Sequence, residues 1–401
     1  MKLPNRYGRD SILDKNFFIF LFLFCILNGA LFFSIILFSN KIPFEKENYY
    51  INSHHYFIDP QASGGSFNFL RALGQYDAQW YLKIATVGYP NNPVNTNIKD
   101  KSVMDGLTWA FFPLYPLTLF LINLSVGEIE VSAFLLANIL MLANFFSMYF
   151  VVSKIYGKNL ALKTIFLLFF FPFSIFYRSY FTEGLLLFEI IWFSYFLTKK
   201  TWLPASVVLA AAMITRGTGL FLFPIFIFFL LNQKKRYAVK YKKVIEYTLI
   251  AFVPFLVWIL FNLRETGDPV YFLHIRSAWN GLSTFSIINN LSTVLISPFL
   301  PIHSFHWSKI DVLVFLFTFI ILIKGKKTIR PEFWYIAFAL WIGPFLTTDT
   351  MSYARYQIIS FPVFLYLAQI LKGFRYIVVL FLFACGLFFT SLLFVNWYWI
   401  G

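Results

Sequence analysis

The sequence predicts an all-α polytopic membrane protein, and three observations lead to that prediction. Only 13% of the 401 residues are charged, whereas ordinary soluble domains carry about 25%. Apolar residues make up 59% of the chain, which gives a mean hydropathy of +0.69. Long apolar runs also recur from one end of the chain to the other. Together these observations exclude a soluble globular enzyme and a disordered chain.

The first apolar run extends over residues 17–38 and predicts a retained first helix. It is longer than the core of a signal peptide, and no small-residue cleavage site follows it. The basic residues that precede it are Lys2, Arg6, Arg9 and Lys15. Under the positive-inside rule they place residues 1–16 in the cytoplasm.

The longest polar segment of the chain, residues 39–108, comes next and is then the first extracytoplasmic loop. Residues 109–401 contain the remaining membrane helices and loops, so that residues 1–401 form a single membrane domain. The further apolar spans lie at 110–126, 131–153, 160–177, 180–198, 203–215, 218–231, 244–263, 284–300, 311–323, 333–347, 356–371 and 374–398. Because a full crossing takes about 20 residues, we expect about ten to twelve membrane segments, some of them broken or re-entrant.

The net charge of +15 comes from short basic clusters between apolar runs and not from one basic face. This pattern is typical of cytoplasmic loops and argues against a nucleic-acid partner. The clusters that it places inside are Lys199 with Lys200, residues 234–243, residues 324–330, and Lys372 with Arg375. Lys154, Lys158 and Lys163 also lie inside only if the two spans before them cross the membrane once in total. Either the 110–126 segment is re-entrant, or this lysine loop is an exception to the rule.

Asp77 in the first loop is the candidate general base. Apolar side chains recur around it at helical spacing, and Asp77 lies within their stripe; they are Leu70, Leu73, Trp80, Tyr81 and Ile84. A carboxylate on the apolar face of a helix at a membrane surface is partly desolvated, which raises its basicity. The alternative is a structural carboxylate that caps a turn or pairs with Arg71 or Lys83. Gln79 and Trp80 of the same segment are candidate substrate-binding residues.

Two ionisable residues, Arg178 and Glu183, interrupt the apolar runs at 171–184. Ionisable groups at such depth are costly, so they line a cavity or pair with one another. We expect both residues to belong to the site, Glu183 as a catalytic group and Arg178 as a substrate-binding group, with Tyr180 beside them. The alternative is an exposed loop tip.

Two further arginines lie at the mouths of predicted helices. Arg216 opens an Arg-Gly-Thr-Gly break at 216–219, where backbone amides as well as the guanidinium can approach an anion. Arg355 precedes Tyr356, whose ring suits stacking or lipid contact. We expect Arg216, Arg355 and Tyr356 to bind substrate. The alternative is that the arginines only extend to the membrane surface.

The cysteines and histidines indicate neither a disulfide framework nor a metal site. Cys25 and Cys385 both lie inside apolar spans. No carboxylate or cysteine completes a metal set around His303 and His306, and the histidine pair at 54–55 is typical of a loop. The sequence also contains no P-loop, dinucleotide-binding fingerprint or serine nucleophile elbow.

Taken in order, the polar motifs resemble those of the PIG-V family, the second mannosyltransferase of glycosylphosphatidylinositol-anchor assembly, and its bacterial relatives. The matching motifs extend over most of the chain and are Tyr76-Asp77-Ala78 through Ile84-Ala85, Gly88-Tyr89, Ala110 to Pro116, Pro172 to Ser174, Tyr180-Phe181-Thr182-Glu183, Thr215 to Gly219, and Ala354-Arg355-Tyr356 with Pro362. The family usually has Trp at the place of Tyr76, Ser at the place of Thr182, and Arg-Ser-Asn-Gly at 216–219. These departures keep the aspartate, the glutamate and the arginine, so they bear more on the acceptor than on the reaction.

The resemblance implies a GT-C-like bundle in the cell membrane with its active site on the extracytoplasmic side. It implies a polyprenyl-phosphate sugar, with mannose as the sugar, as the donor substrate. The acceptor would be a glycolipid, a glycan or a protein, and in bacteria it would not be a glycosylphosphatidylinositol. The expected partners are therefore membrane lipids, the lipid-linked sugar and the acceptor.

The candidate site residues fit a sugar transfer with inversion at the anomeric carbon. Asp77 would deprotonate the acceptor hydroxyl, which attacks the anomeric carbon. Because the leaving group is already a phosphate, positive charge replaces the acid that a glycosidase needs. Arg216, Arg178 or Arg355 would hold the phosphate, and Glu183 would orient an arginine or a sugar hydroxyl. No metal cofactor is required for this chemistry, although a divalent ion at Asp77 is an open alternative.

A transporter or flippase for lipid-linked sugars is the competing class, since it also needs buried arginines and a cavity. It predicts charges near mid-membrane and internal symmetry, and it does not require Asp77 in a long external loop. A structural membrane subunit explains the hydropathy but not the ordered motifs. The enzyme hypothesis requires Asp77, Glu183 and the arginines to converge, and a separation beyond about 15 Å counts against it.

Overall fold

A computed structural model describes residues 15–53, 56, 58–91, 104–234, 241–275, 287–302, 308–347 and 351–401. Over these ranges the regular secondary structure is helical, with no strand. The prediction of an all-α protein is confirmed.

Most of the α-helices lie close to the predicted apolar spans, whereas the helices at 46–52, 69–73 and 78–87 lie within the predicted first loop. They are α1 (Lys15–Phe38), α2 (Lys46–Asn52), α3 (Phe69–Leu73), α4 (Ala78–Val87), α5 (Leu114–Val126), α6 (Ile129–Tyr156), α7 (Lys158–Phe169), α8 (Glu183–Lys199), α9 (Trp202–Thr215), α10 (Leu222–Lys234), α11 (Tyr241–Thr266), α12 (Tyr271–His274), α13 (Ile287–Ile296), α14 (Lys309–Gly325), α15 (Pro331–Thr347), α16 (Tyr353–Gln357), α17 (Phe361–Ile370) and α18 (Phe374–Val395). Short 3-10 turns lie at Ser39–Lys41, Pro60–Ser63, Met104–Ala110, Pro172–Tyr177, Gly217–Phe221 and Ser297–Phe299. Glycines in the left-handed region end α5 (Gly127, φ +82°) and α6 (Gly157, φ +97°), because only glycine adopts this conformation without strain.

Within the described ranges, four helical segments are long and apolar enough to cross a membrane, namely Lys15–Lys41, Ile129–Tyr156, Tyr241–Thr266 and Phe374–Val395. The first, third and fourth bury only 17%, 17% and 22% of their most apolar stretch inside the protein, so most of that surface is free to face lipid. Shorter apolar helices lie at Leu114–Val126, Trp202–Thr215, Gly217–Asn232, Ile287–Phe299 and Phe361–Ile370. The number of crossings stays a prediction.

Helix α6 forms the centre of the bundle. It buries 61% of its most apolar stretch and contacts α5, α7 and α8. Asn144 of α6 donates a hydrogen bond to the carbonyl of Gly184 at the start of α8 (2.7 Å). Aromatic packing joins α6 to α1, where the ring of Phe17 lies 4.7 Å from that of Tyr149. Beyond α8, helix α9 packs against both α8 and α11.

The bundle has two chemically different ends. At the first end, Arg71 contacts Glu130 at the start of α6 (3.4 Å). Asn396, just after α18, donates a hydrogen bond there to the Ser39 carbonyl, just after α1 (3.0 Å). We call this the Asp77 end, since the turn that contains Asp77 is tied to the last residues of α18.

Basic residues gather at the opposite end, which we call the lysine end. The Lys163 ammonium on α7 lies 5.2 Å from the ring of Tyr376, near the start of α18. Arg330 donates its backbone N–H to the Tyr156 hydroxyl at the end of α6 (2.8 Å). The rise of α18 from Tyr376 to its end is about 28 Å, close to the thickness of a bilayer's hydrocarbon core.

The position of helix α5 bears on which side of the membrane the loop with Lys154, Lys158 and Lys163 lies. Near its start, the ring of Tyr115 lies 5.2 Å from that of Tyr81 on α4. Near its end, Asn123 accepts a hydrogen bond from Ser132 in the first turn of α6 (3.0 Å). Both ends of α5 therefore lie at the Asp77 end, which is what the re-entrant alternative requires. Helix α6 then runs from the Asp77 end to Lys154 at the lysine end, where Lys158 begins α7.

Candidate active site

Four charged side chains meet at the Asp77 end, and we call Asp77, Glu183, Arg216 and Arg355 the charge cluster. Arg355 donates from Nε to Oε1 of Glu183 (2.5 Å) and from Nη1 to Oδ2 of Asp77 (3.0 Å). Arg216 donates from Nη1 to the same Oε1 of Glu183. Residues up to 278 positions apart in the chain are thus in direct contact, well within the 15 Å that the enzyme hypothesis allows.

The members of the charge cluster differ in their exposure. The side chains of Glu183 and Arg355 are only 1% and 3% exposed, so they form the floor of the site. The Asp77 side chain is 30% exposed and that of Arg216 is 15% exposed. Only one carboxylate oxygen of Asp77 is bound by Arg355. An acceptor hydroxyl can therefore approach Asp77, whereas it cannot approach Glu183 without a rearrangement.

A short turn between α3 and α4 positions Asp77. Gln75 donates from Nε2 to the Val395 carbonyl (3.0 Å), and the Tyr76 hydroxyl donates to the Trp397 carbonyl (2.6 Å). Tyr76 adopts the left-handed conformation (φ +53°), which a non-glycine residue holds only when its surroundings enforce it. The side-chain bonds to the end of α18 provide that enforcement.

This turn corrects the sequence-based interpretation of residues 70–85 as one helical stripe. Helix α3 ends at Leu73 and α4 begins at Ala78, because the left-handed residue at position 76 cannot continue a helix. Asp77 occupies the position before α4, where aspartate commonly caps a helix, yet its side chain makes no capping hydrogen bond. The carboxylate is directed to Arg355 instead.

Glu183 and Arg216 are both placed at helix ends. Glu183 is the first residue of α8, and Arg216 follows the last residue of α9 in an extended conformation. The chain turns back tightly after Arg216, since a Cβ on Gly219 would come within 2.0 Å of the Ala212 carbonyl oxygen. The turn requires a residue without a side chain at 219, and it directs Arg216 toward α8.

Aromatic rings fix the orientation of the two guanidiniums. The Arg355 guanidinium lies 4.7 Å from the Phe176 ring, 4.5 Å from the Phe181 ring and 5.9 Å from the Trp399 ring. The Arg216 guanidinium lies 5.0 Å from the Tyr356 ring. Such cation–π contacts hold a cation in place without neutralising it. Of the other predicted site residues, Tyr356 therefore contacts the charge cluster through Arg216.

Arg178 lies outside the charge cluster. Its Nε donates to Asn28 on α1 (2.6 Å), and its terminal nitrogens donate to the carbonyls of Ser174 (3.0 Å) and Phe169 (3.2 Å). All these partners belong to the buried helix contacts of the bundle. The interruption at 171–184 thus contains one arginine used in packing and one glutamate used in the charge cluster.

Tyr180, Gln79 and Trp80 pack around the Asp77 turn, and the backbone N–H of Trp80 donates to the Asp77 carbonyl (3.1 Å). The Tyr180 hydroxyl donates to the Leu70 carbonyl (2.9 Å) and holds α3 in place. Gln79 accepts a hydrogen bond from the backbone of Tyr56 (3.3 Å). The buried ring of Trp80 lies 6.2 Å from that of Phe111.

Sequence reasoning missed the rings of Phe176 and Phe181 beside Arg355, and also Thr182, Trp399 and Tyr81. Thr182 accepts a hydrogen bond from Arg216 (3.4 Å), and Trp399 forms one wall around Arg355. Tyr81 is buried within electrostatic range of all four charges, and burial raises the pKa of its hydroxyl, which therefore stays neutral. Tyr81 lies one helical turn after Asp77, and this spacing could have identified it as a site residue. In a chain with 22% aromatic residues, Trp399 carried no such signal.

The charge cluster has two carboxylates and two guanidiniums, so its formal charges balance. No group of three or more His, Cys, Asp or Glu side chains suited to a metal ion occurs in the part of the chain that the structure describes. His303 and His306, and the pair at 54–55, lie outside the described residues. The arrangement offers an accessible carboxylate beside fixed cations, which suits proton removal next to an anion.

Comparisons with known proteins give the following similarities. No protein-family model and no curated protein match the chain. A structure of the Archaeoglobus fulgidus oligosaccharyltransferase with zinc and sulfate aligns with a TM-score of 0.45 at 11% identity, over 92% of this chain and 53% of that chain. The apo structure of the same protein aligns with a TM-score of 0.44 at 10% identity, over 93% of this chain and 56% of that chain. The chain spans about half the length of the oligosaccharyltransferase chains to which it is similar.

Proposed function

We propose that this chain is an integral-membrane glycosyltransferase. It moves a sugar from a polyprenyl-phosphate donor to an extracytoplasmic glycolipid, glycan or protein, with inversion at the anomeric carbon. The observation that carries the proposal is the charge cluster, in which the accessible carboxylate of Asp77 binds Arg355, and Arg355 and Arg216 both bind Glu183. The resemblance of the motifs to the PIG-V family supports a GT-C fold and mannose as the sugar.

Asp77 acts as the general base in the proposed reaction. Its carboxylate takes the proton of the acceptor hydroxyl, and the acceptor oxygen forms a bond to the anomeric carbon. The bond between that carbon and the phosphate oxygen breaks at the same time, and polyprenyl phosphate leaves with the electron pair. A phosphate is a good leaving group at neutral pH, so the reaction needs no second acid.

The two arginines have different roles in this scheme. Arg355 is buried and holds Asp77 in place, so it is a positioning residue. Arg216 is the more exposed guanidinium and binds the donor phosphate, where a fixed cation stabilises the charge that develops. Glu183 binds both arginines and orients them, which makes it a positioning residue as well. Arg178 has no part in phosphate binding in this scheme, because its donors are used within the bundle.

The scheme requires no metal ion, since Arg216 neutralises charge on the leaving phosphate. The donor's chain lies in the bilayer between helices, and its headgroup reaches the Asp77 end. That end faces the extracytoplasmic side if the lysine end is cytoplasmic.

The test is transfer of labelled mannose from synthetic polyprenyl-phosphate mannose to a lipid and envelope extract by purified protein. Asp77→Asn keeps the shape of the side chain but removes the base, so we expect the rate to fall at least about 100-fold. Glu47→Gln makes the same chemical change at an exposed position on α2 and is the matched control. Its rate should equal that of the wild type.

Two results would contradict the assignment. Asp77→Asn protein that keeps most of the wild-type rate excludes Asp77 as the base. Folded wild-type protein that binds the donor but neither transfers nor hydrolyses it argues for transport of lipid-linked sugars instead.

A further inference from the structure

Helix α8 carries a second buried carboxyl group, that of Glu189, which the proposed reaction does not use. Glu189 is only 4% exposed and follows Glu183 by six residues. It therefore lies about 9 Å further along the helix from the charge cluster. An ionisable group buried among apolar helices is costly and is expected to serve a function, which its partner helps to identify.

The partner of Glu189 is Thr215, the last residue of α9. Oε1 of Glu189 and the Thr215 hydroxyl oxygen lie 2.7 Å apart, and both side chains are buried. The same hydroxyl lies 3.0 Å from the Ala211 carbonyl oxygen, one turn earlier in α9. The second carboxyl oxygen, Oε2, is buried without a hydrogen-bond partner, and Glu189 forms no ion pair within the part of the chain that the structure describes.

These contacts fit the protonated acid better than the carboxylate ion. The Thr215 hydroxyl has one proton, which cannot fully serve two acceptors. A buried carboxylate ion that faces one hydroxyl and no cation would lose most of its solvation without replacement. The neutral acid instead donates its own proton to the Thr215 oxygen, and Thr215 donates to the Ala211 carbonyl.

Helix α8 thus holds the end of α9 through two neighbouring residues. Glu189 binds Thr215, and Glu183 accepts a hydrogen bond from Arg216, the next residue in the chain. Because Arg216 has an extended backbone, the helical bonds of α9 no longer fix its position. The two contacts hold the chain on both sides of the point where α9 ends.

We propose that Glu189, as the protonated acid, is a positioning residue for Arg216. It holds Thr215 against α8, so that the guanidinium of the following residue lies where the donor phosphate binds. This inference rests on the proposed function, in which Arg216 binds that phosphate. Leucine would pack in the same place without a buried oxygen that lacks a partner, so stability alone does not call for an acid here.

The experiment measures the KM for synthetic polyprenyl-phosphate mannose and the unfolding midpoint in detergent, both with the full-length chain. We expect Glu189→Leu to unfold at the wild-type temperature or above it. Its donor KM should rise about tenfold, which is the loss expected when one hydrogen bond to a charged group is misplaced. A merely structural role would lower the midpoint and leave the KM unchanged.

Variants of the two partners test the hydrogen bond itself. Glu189→Gln keeps a neutral group with a proton to donate, so it should have the wild-type KM. Thr215→Val should raise the KM as Glu189→Leu does. The double variant should be no worse than either single one, because both changes remove the same bond.

Ser194→Ala is the matched control. Ser194 is also buried on α8, but its hydroxyl donates to the Ile190 carbonyl of the same helix (2.6 Å). Removing it leaves the contact between α8 and the end of α9 intact, so the donor KM should equal that of the wild type.

A second measurement does not depend on sugar transfer. The infrared difference spectrum between the wild type and Glu189→Gln at neutral pH should contain the C=O stretch of a protonated carboxylic acid. Bands of an ionised carboxylate in its place contradict the inference. If the wild type transfers no sugar, the proposed function fails, and the infrared spectrum still shows the state of Glu189.

Two kinetic results would also overturn the inference, provided that the wild type is active. One is an unchanged donor KM in Glu189→Leu. The other is an equal rise of the KM in Ser194→Ala, which means that any change inside α8 disturbs donor binding.

Discussion

Arg355 joins the two carboxylates of the charge cluster through different nitrogens of one rigid guanidinium. Lysine keeps the charge but has a single ammonium, so it cannot bind Glu183 and Asp77 in the same geometry. We expect Arg355→Lys to fold and to lower the initial rate of sugar transfer about 100-fold, because Asp77 loses its orientation. The transfer assay together with a thermal unfolding midpoint in detergent measures both effects.

The matched control is Arg330→Lys at the lysine end. Arg330 contacts Glu332 at 3.3 Å in a partly exposed pair, and such pairs contribute only about 0–1 kcal/mol to stability. Its rate and midpoint should equal those of the wild type. An Arg355→Lys protein with more than half of the wild-type rate means that Arg355 does not position the base.

At the residue scale, the sequence identified the chemistry-bearing side chains but not their pairing. Asp77, Glu183, Arg216 and Arg355 are conspicuous because ionisable groups are expensive beside apolar runs. Arg178 has the same signal, yet it binds Asn28 and backbone carbonyls in the bundle. The difference depends on which helix faces each guanidinium, and this is set by packing between segments far apart in the chain.

The turn at 217–221 is the element on which the position of Arg216 depends. A methyl group on Gly219 would overlap the backbone of Ala212, which cannot move without shifting α9. We expect Gly219→Ala to displace Arg216 and to lower the transfer rate at least about tenfold, with a loss of about 1–3 kcal/mol in stability. The assay and the unfolding midpoint again measure these effects.

Gly184→Ala is the control for that substitution. Gly184 also adjoins the charge cluster, but a Cβ there would lie 3.5 Å from the Leu140 Cβ, an ordinary contact. Alanine also favours the helix, so activity and stability should stay near the wild-type values. If both glycine variants are equally active, the close approach at Gly219 does not set the position of Arg216.

At the element scale, most of the long apolar helices were predictable, whereas the short helices α2 and α12 and the break before Asp77 were not. Apolar runs predict helices because a segment in lipid must hydrogen-bond all of its backbone N–H and C=O groups, and a helix does so within itself. The stripe from Leu70 to Ile84 satisfies helical spacing on both sides of the turn, so periodicity alone cannot detect the interruption. Its cause is Tyr76, whose left-handed backbone is held by the Trp397 carbonyl more than 300 positions later.

For the whole molecule, the separation of charge predicts orientation in the membrane. We expect the Asp77 end outside and the lysine end inside the cell, because basic residues stay in the cytoplasm. In a chain with Cys25→Ala and Cys385→Ala, a membrane-impermeant maleimide should label Glu47→Cys in intact cells. It should label Lys199→Cys only after the membrane is opened. The reverse labelling pattern contradicts the orientation and the extracytoplasmic reaction.

At this scale the sequence predicted the all-helical fold and left one conflict open. Composition and apolar runs determine that the chain forms helices in lipid. The path of residues 110–126 depends on contacts of Tyr115 and Asn123 with neighbouring segments, which no local pattern contains. The meeting of the four residues of the charge cluster could not be predicted for the same reason, because they come from separate parts of the chain.

The segment that follows α18 has a consequence for the protein's synthesis. Trp397 holds the turn before Asp77, Trp399 lies against Arg355, and Gly401 lies next to Phe176. A ribosome makes these residues after every membrane helix described here has been completed. The unfinished protein can therefore enter the bilayer without a working site, and it gains one only when the segment after α18 has been made and folds back onto the site. Chains that terminate early would occupy the membrane as inactive protein.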